Sequence, residues 1–216
     1  MSGDRAGSAL DELFRGRRSV RTFSPEPVPE ATILELLDLA ITAPSASNKQ
    51  PWRFLVVTSP STIRAMADAV REARARVLDA TPEASRPSIA AYGDYFTRFE
   101  GAPCVVVPIH RPLTILSSLT EGHLPADDHA AIARMEAESG LVGVSLAVMQ
   151  LLLAAHARGL GASGMTGPLI ARARIAELLG VPAGWDIALL VPLGYPAETP
   201  APTERKSAER VTRFLR

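Results

Sequence analysis

The chain predicts an α+β fold in three layers. Three short runs are predominantly apolar: residues 52–58 (WRFLVVT), 104–109 (CVVVPI) and 185–193 (WDIALLVPL). Each reads as a buried strand. Around them lie five or six segments whose apolar residues recur at helical spacing, and helices packed on a sheet give a layered fold. With 216 residues, 47% of them hydrophobic, one domain over residues 1–216 is expected, burying about 70% of the unfolded surface without disulfide support.

In chain order, Leu10, Leu13 and Phe14 mark a short first helix over residues 8–14. The basic run Arg17-Arg18-Ser19-Val20-Arg21 follows. Pro29 then opens a helix with Ile33, Leu34, Leu36, Leu37, Ala40 and Ile41 on a broad apolar face, and Pro44 stops it. Residues 45–51 favour local hydrogen bonds over regular structure and form a loop before the first strand. A second strong helix spans 60–80, with Ile63, Met66, Ala67, Val70, Val77 and Leu78 inward, and another spans 85–100. In the second strand Pro108 implies an edge or a bulge. Residues 111–128 read as a mobile loop or short helix. The longest helix is expected over 136–158, closed by Gly159 at C′. A strand-to-loop passage over 162–168, a short helix over 170–180 and the third strand complete the core.

Several chemistries are excluded. Lys+Arg and Asp+Glu balance at 23 each, leaving no overall basic field for nucleic acid or an anionic membrane. The single cysteine, Cys104, cannot form an internal disulfide or a multi-thiolate metal site, and in its apolar strand it reads as a small core residue. No apolar h-region precedes the first basic run, and the fifteen apolar residues 141–155, interrupted by Gln150, fall short of the roughly 20 that span a bilayer. A soluble cytoplasmic protein is expected. There is no G-x-S-x-G, H-E-x-x-H, Walker A or G-x-G-x-x-G motif. His156, at the end of an apolar helix, reads as structural.

What remains is anion chemistry. If residues 17–21 are extended, Arg17, Ser19 and Arg21 share one face and Arg18 points to the other. Two guanidinium forks and a hydroxyl would then converge on one phosphate. The tail offers a second basic pair, Arg205-Lys206. Between the second helix and the first strand, Ser45, Ser47, Asn48 and Gln50 supply neutral donors and acceptors suited to a flat heterocycle's edge. The two glycines within 163–168 let backbone N–H groups approach a ligand closely.

In order and spacing these segments resemble the nitroreductase family of FMN-dependent oxidoreductases. The matching stretches are RRSVRTF (17–23), PVPEATILELLDLAITAPSASNKQPWRFLVV (27–57), QLLLAAHARGLGASGMTGP (150–168), GVPAGWDIALLVPLGYPAE (180–198) and ERK (204–206). The resemblance implies a three-layer α/β/α fold with a mainly antiparallel sheet, and a homodimer with each active site at the subunit interface. Carried over residue by residue, Arg17, Arg18 and Ser19 would hold the FMN phosphate and ribityl end with Arg21 nearby. Arg205 and Lys206 would close on the phosphate from the tail. Pro44, Ser45, Ala46 and Asn48 would line the flavin, and Met165, Thr166 and Gly167 would place donors near its N5.

NADPH or NADH would be the reductant and a nitroaromatic, a quinone or a related small electrophile the acceptor, exchanged by ping-pong, with no obligatory protein acid or base. The alternative is a flavin-sequestering protein, or a specialised member such as a reductive dehalogenase or biosynthetic enzyme that does not use NAD(P)H directly. Tyr92, Tyr95, Phe96 and Phe99 are candidates to roof the flavin, although core packing is the plainer reading. Residues 113–125, which contain no aromatic side chain, form a candidate lid.

Overall fold

A computed structural model describes residues 2–215, apart from the side chains of residues 2–7 and of Tyr92, so the roofing role considered for Tyr92 lies outside the described residues. Five strands form the sheet: β1 (Trp52–Val57), β2 (Cys104–His110), β3 (Gly161–Ala162), β4 (Asp186–Ile187) and β5 (Val191–Gly194). Their order is β1-β2-β5-β3, with β4 also on β2, and every pairing is antiparallel.

Strand β2 is central and buried along its length except at His110. Alternation sorts its side chains to two faces. Val105, Val107 and Ile109 join a cluster with Met66, Val70, Phe99 and Ile175, whereas Cys104 and Val106 join Ile33, Leu36, Val148 and Leu151. The first face is covered by α3 (Pro60–Asp79) and α7 (Arg172–Leu178), the second by α2 (Glu30–Ala40) and α6 (Ala126–Ala157). The three layers expected from the apolar runs are thus present. Burial pushes the Cys104 thiol up to about 12, as befits a core residue.

Pro108 accounts for the split of the third apolar run into β4 and β5. Between the pairs Val106↔Val191 and Ile109↔Ile187, residues 107–108 of β2 oppose residues 188–190. One extra residue on the partner is a bulge, and it sits where proline has no N–H to donate. Of the two expectations for Pro108 the bulge is observed and the edge is not. Freed from β2, Leu190 exchanges backbone hydrogen bonds with Met165, at 2.8 and 3.0 Å.

The helices depart from expectation mainly at their ends. The first, α1 (Ser2–Gly16), begins before residue 8. On α2 Leu34 is exposed, as are Ile41 at its C-cap and Val77 on α3, because these segments carry more apolar residues than one buried face takes. The helix expected over 85–100 divides into α4 (Arg86–Gly93) and a 3-10 stretch, Asp94–Gly101. At the division the Arg74 side chain crosses Gly93, donating to the Ala90 carbonyl and to Asp94 at 2.7 Å each. The longest helix, α6, starts ten residues before the expected 136; Asp127 and Asp128 in its first turn favour its positive end. Residues 111–125 are therefore shorter than expected and contain α5 (Leu116–Leu119). Gly159 closes α6 at φ +72° as foreseen.

At 32 residues α6 is long and apolar enough to cross a membrane by composition alone. It nevertheless packs as a core helix, with Val144, Ala147, Leu151 and Ala155 fully buried. It crosses the end of β2 at Gly140, where a Cβ would lie 2.4 Å from the Arg111 carbonyl oxygen, a backbone atom that cannot swing aside. Gly140→Ala should therefore destabilise the fold by about 1–3 kcal/mol, seen as a lower urea midpoint at unchanged slope.

Candidate functional site

Residues 19–24 form an extended strip along the sheet's far edge. Ser19 bridges Ala162, the Val20 N–H donates to the Ala162 carbonyl at 3.2 Å, and the Ser24 N–H donates to the Tyr195 carbonyl at 2.9 Å. Buried Val20 and Phe23 pin the strip to the core.

The alternation expected across the basic run begins only at Ser19. Arg17 still belongs to the helical turn of α1, its N–H donating to the Leu13 carbonyl at 3.2 Å. Arg17 and Arg18 consequently line the same cleft, of about 530 Å³, with Asp11, Phe14, Arg15, Thr203 and Arg205. The expected convergence of Arg17 with Arg21, and the expected divergence of Arg18, are both corrected. The meeting of N-terminal and C-terminal arginines is present, while exposed Lys206 is not among the lining residues.

Among the described residues no ion pair engages Arg17, Arg18 or Arg205. The Arg17 guanidinium is held below its ordinary range, first by burial and then by the charges of Arg205 and Arg18. His156 is pulled down as well, by burial and then by Arg17 and Arg18, in keeping with a neutral structural histidine. A cluster of like charges left unpaired is what a polyanionic ligand would complete.

Arg21 faces a second cleft, of about 220 Å³, with Tyr95, Phe96, Gly164, Met165, Thr166, Gly167 and Pro168. The Leu190–Met165 exchange described above holds this loop. Gly167 admits no side chain, since a Cβ there would lie 2.3 Å from the Phe96 ring. Phe99, by contrast, is fully buried in the core. Arg21 Nη1 donates to the Ser19 carbonyl at 3.3 Å, and the N–H groups of Arg21 and Thr22 donate to Glu198 Oε1 at 2.6 and 3.0 Å.

Pro44, Ser45 and Ala46 line a third cleft, of about 360 Å³, with Glu138, Ser139, Val142, Gly143 and Leu146 of α6. The loop that follows is strained. Ser47, Asn48 and Gln50 all adopt left-handed φ, between 44° and 51°, a conformation that costs non-glycine residues of order 1 kcal/mol each. Ser45 braces it, its hydroxyl accepting the Gln50 N–H at 2.9 Å and its carbonyl the Asn48 N–H at 2.9 Å. Asn48 is exposed and accepts from Gln50 Nε2 at 3.3 Å; it does not reach the third cleft.

One chain thus places ten of the expected residues in three separate clefts, while Ser19, Asn48 and Lys206 line none of them. Asp11, Phe14 and Arg15 were not foreseen as wall residues, although their i, i+3, i+4 spacing on the first helix was a signal. Glu198 carried no signal, because its partners are backbone groups 176 and 177 residues away.

The Glu198 carboxyl is held below the ordinary carboxylate range, first by the Arg21 N–H, then by Thr22 and the Arg21 charge. A depressed folded pKa means that the tie contributes fully above the unfolded value, about 4.3, and is lost as pH falls through the folded value. Protection of the Arg21 and Thr22 amides against hydrogen exchange should therefore persist down to about pH 4.3 and be lost only below it. Glu198→Gln should flatten that dependence.

The Nitroreductase family model matches residues 14–195. A Thermus thermophilus protein named NADH dehydrogenase is 34% identical over 200 residues, 90% of each chain. Among solved structures, a BluB-like flavoprotein from Clostridium difficile 630 superposes with a TM-score of 0.83 at 20% identity, covering 96% of this chain and 99% of that one. Iodotyrosine deiodinase, solved with FMN and 3-iodo-L-tyrosine, superposes at 0.71 and 22% identity over 96% and 99% of the two chains. At those identities the structural likeness speaks for the fold, while the match over most of the sequence goes further: the chain belongs to the nitroreductase family.

Proposed function

We propose that this chain is an FMN-dependent oxidoreductase that takes electrons from NADPH or NADH and delivers them to a nitroaromatic, a quinone or a related small electrophile by ping-pong exchange. The observation that carries the proposal is the convergence of Arg17, Arg18 and Arg205, unpaired and mutually repelling, in a chain of zero net charge. A phosphate monoester with nearly two negative charges fits that cleft, and guanidinium forks bind it better than lysine would.

The remaining residues divide the cofactor between them. Ser19 fixes the strip between the phosphate cleft and the loop at 165–167. Met165, Thr166 and Gly167 present main-chain and hydroxyl donors to the ring, with Arg21 supplying positive charge where negative charge accumulates. Pro44, Ser45, Ala46 and Asn48 flank the ring from the strained loop. When bound, FMN supplies the hydride-accepting and electron-passing chemistry, so no side chain need act as acid or base.

We further propose a homodimer. Val142 is 58% exposed and Leu34 62%, and Leu141 and Leu146 are also uncovered on α6, an apolar surface that suits a second copy. Val142 and Leu146 also wall the third cleft, so a partner seated on α6 would bring that cleft to the interface. Residues separated in one chain would then meet across two.

Anaerobic addition of NADPH or NADH should bleach the yellow protein within seconds to minutes, and an acceptor should restore the colour. Bleaching by neither nucleotide would instead favour the flavin-sequestering or specialised reading. Arg205→Ala should weaken FMN retention tenfold or more, the worth of one charge-assisted hydrogen bond at ~1.5–3 kcal/mol. Because it also relieves repulsion, the same change should leave the flavin-free protein at least as stable in thermal melts; full flavin content in Arg205→Ala would refute the phosphate assignment.

A further inference from the structure

Among the described residues Glu136 is the only buried carboxylate, 4% exposed, and no cation pairs with it. A buried charge without a counter-ion must be met by hydrogen-bond donors. Here they come from the segment that opens α5. Oε1 accepts the N–H groups of Ile115 at 2.9 Å and Leu116 at 2.6 Å. Oε2 accepts the Ser117 N–H at 3.1 Å and its hydroxyl at 2.5 Å. These donors hold the carboxyl below its ordinary range, the Ser117 hydroxyl contributing most.

Two weaker ties run beside them: the Leu113 N–H donates to the Glu136 carbonyl at 3.3 Å, and His129 Nε2 donates to the Ser117 carbonyl at 3.0 Å. Apolar packing adds little, because Ile115, Leu116, Leu119 and Leu124 are all exposed. The segment is therefore held to α6 mainly through one side chain. Ser139 and Gly140 lie three and four residues further along, on the same helical face and about 5 Å away along the axis. Ser139 is already a wall of the Pro44–Ala46 cleft.

We propose that Glu136 is a positioning residue that fixes residues 113–124 as a lid beside this cleft and so governs how tightly an electron acceptor is held there. The part concerning the acceptor rests on the function proposed above; the tether itself does not.

The test uses full-length, flavin-loaded protein carrying Glu136→Gln. Amides 115–117 should exchange about tenfold faster or more, the loss of a charge-assisted hydrogen bond, with α6 beyond Gly143 unchanged. KM for a nitroaromatic acceptor should rise several-fold, while kcat and flavin content stay within about twofold of the parent; a purely structural lesion would lower flavin content as well. Unchanged exchange at 115–117 would overturn the tether, and faster exchange at unchanged KM would overturn its role in holding the acceptor. Should Glu136→Gln fail to fold, Ser117→Ala removes a single donor and must shift exchange in the same direction; no shift overturns the proposal. If the parent turns over no nitroaromatic, the proposed function fails and amide exchange alone decides the tether.

Discussion

Three guanidinium groups, Arg17, Arg18 and Arg205, share one cleft without an ion pair to any of them among the described residues, an arrangement that opposes folding, and much of the architecture around them serves to keep them there. Arg17 and Arg18 arrive from the end of α1, Arg205 from the tail, and no local propensity brings those segments together. The strip that follows the arginines is tied down instead: Val20 and Phe23 are sunk in the core, Ser19 is bridged to β3, and Glu198 grips two amides. Such strain, tolerated at one place because the surroundings over-determine it, is characteristic of a site shaped for a ligand. The left-handed turn at residues 47–50 shows the same trade.

Pro108 illustrates how one backbone constraint travels. It lacks an N–H in the middle of a buried strand, so the partner strand bulges opposite it. The bulge releases Leu190 to pair with Met165, and that pairing positions the glycine-containing loop facing Arg21. The loop's position therefore depends on a proline that is not itself among the residues lining the cleft.

What was legible in the sequence followed from local physics. Periodicity located α2 and α3, apolar runs located β1 and β2, although β1, expected to be buried, lies at the sheet's edge and buries only Trp52 and Val57, and Gly159 announced its own cap. Pro108 left two choices, and tertiary pairing settled on the bulge. The residues that failed did so for non-local reasons. Arg17 falls on a helical turn rather than on the extended strip because α1 continues to Gly16, beyond the last apolar marker at Phe14. The beginning of α6 was hidden since residues 126–135 are polar and alanine-rich, with no apolar stripe to reveal them. Glu136 looked like any surface glutamate, and its donors are main-chain groups that no side-chain pattern records.

Cys104, at the centre of the sheet, bears on how long such a protein would survive its own work. A chain that admits electrophiles to an open cleft exposes every nucleophilic sulfur it carries to alkylation. Here the sole sulfhydryl is fully buried and burial raises its pKa to about 12, so an electrophile entering any of the surface clefts would meet no thiolate.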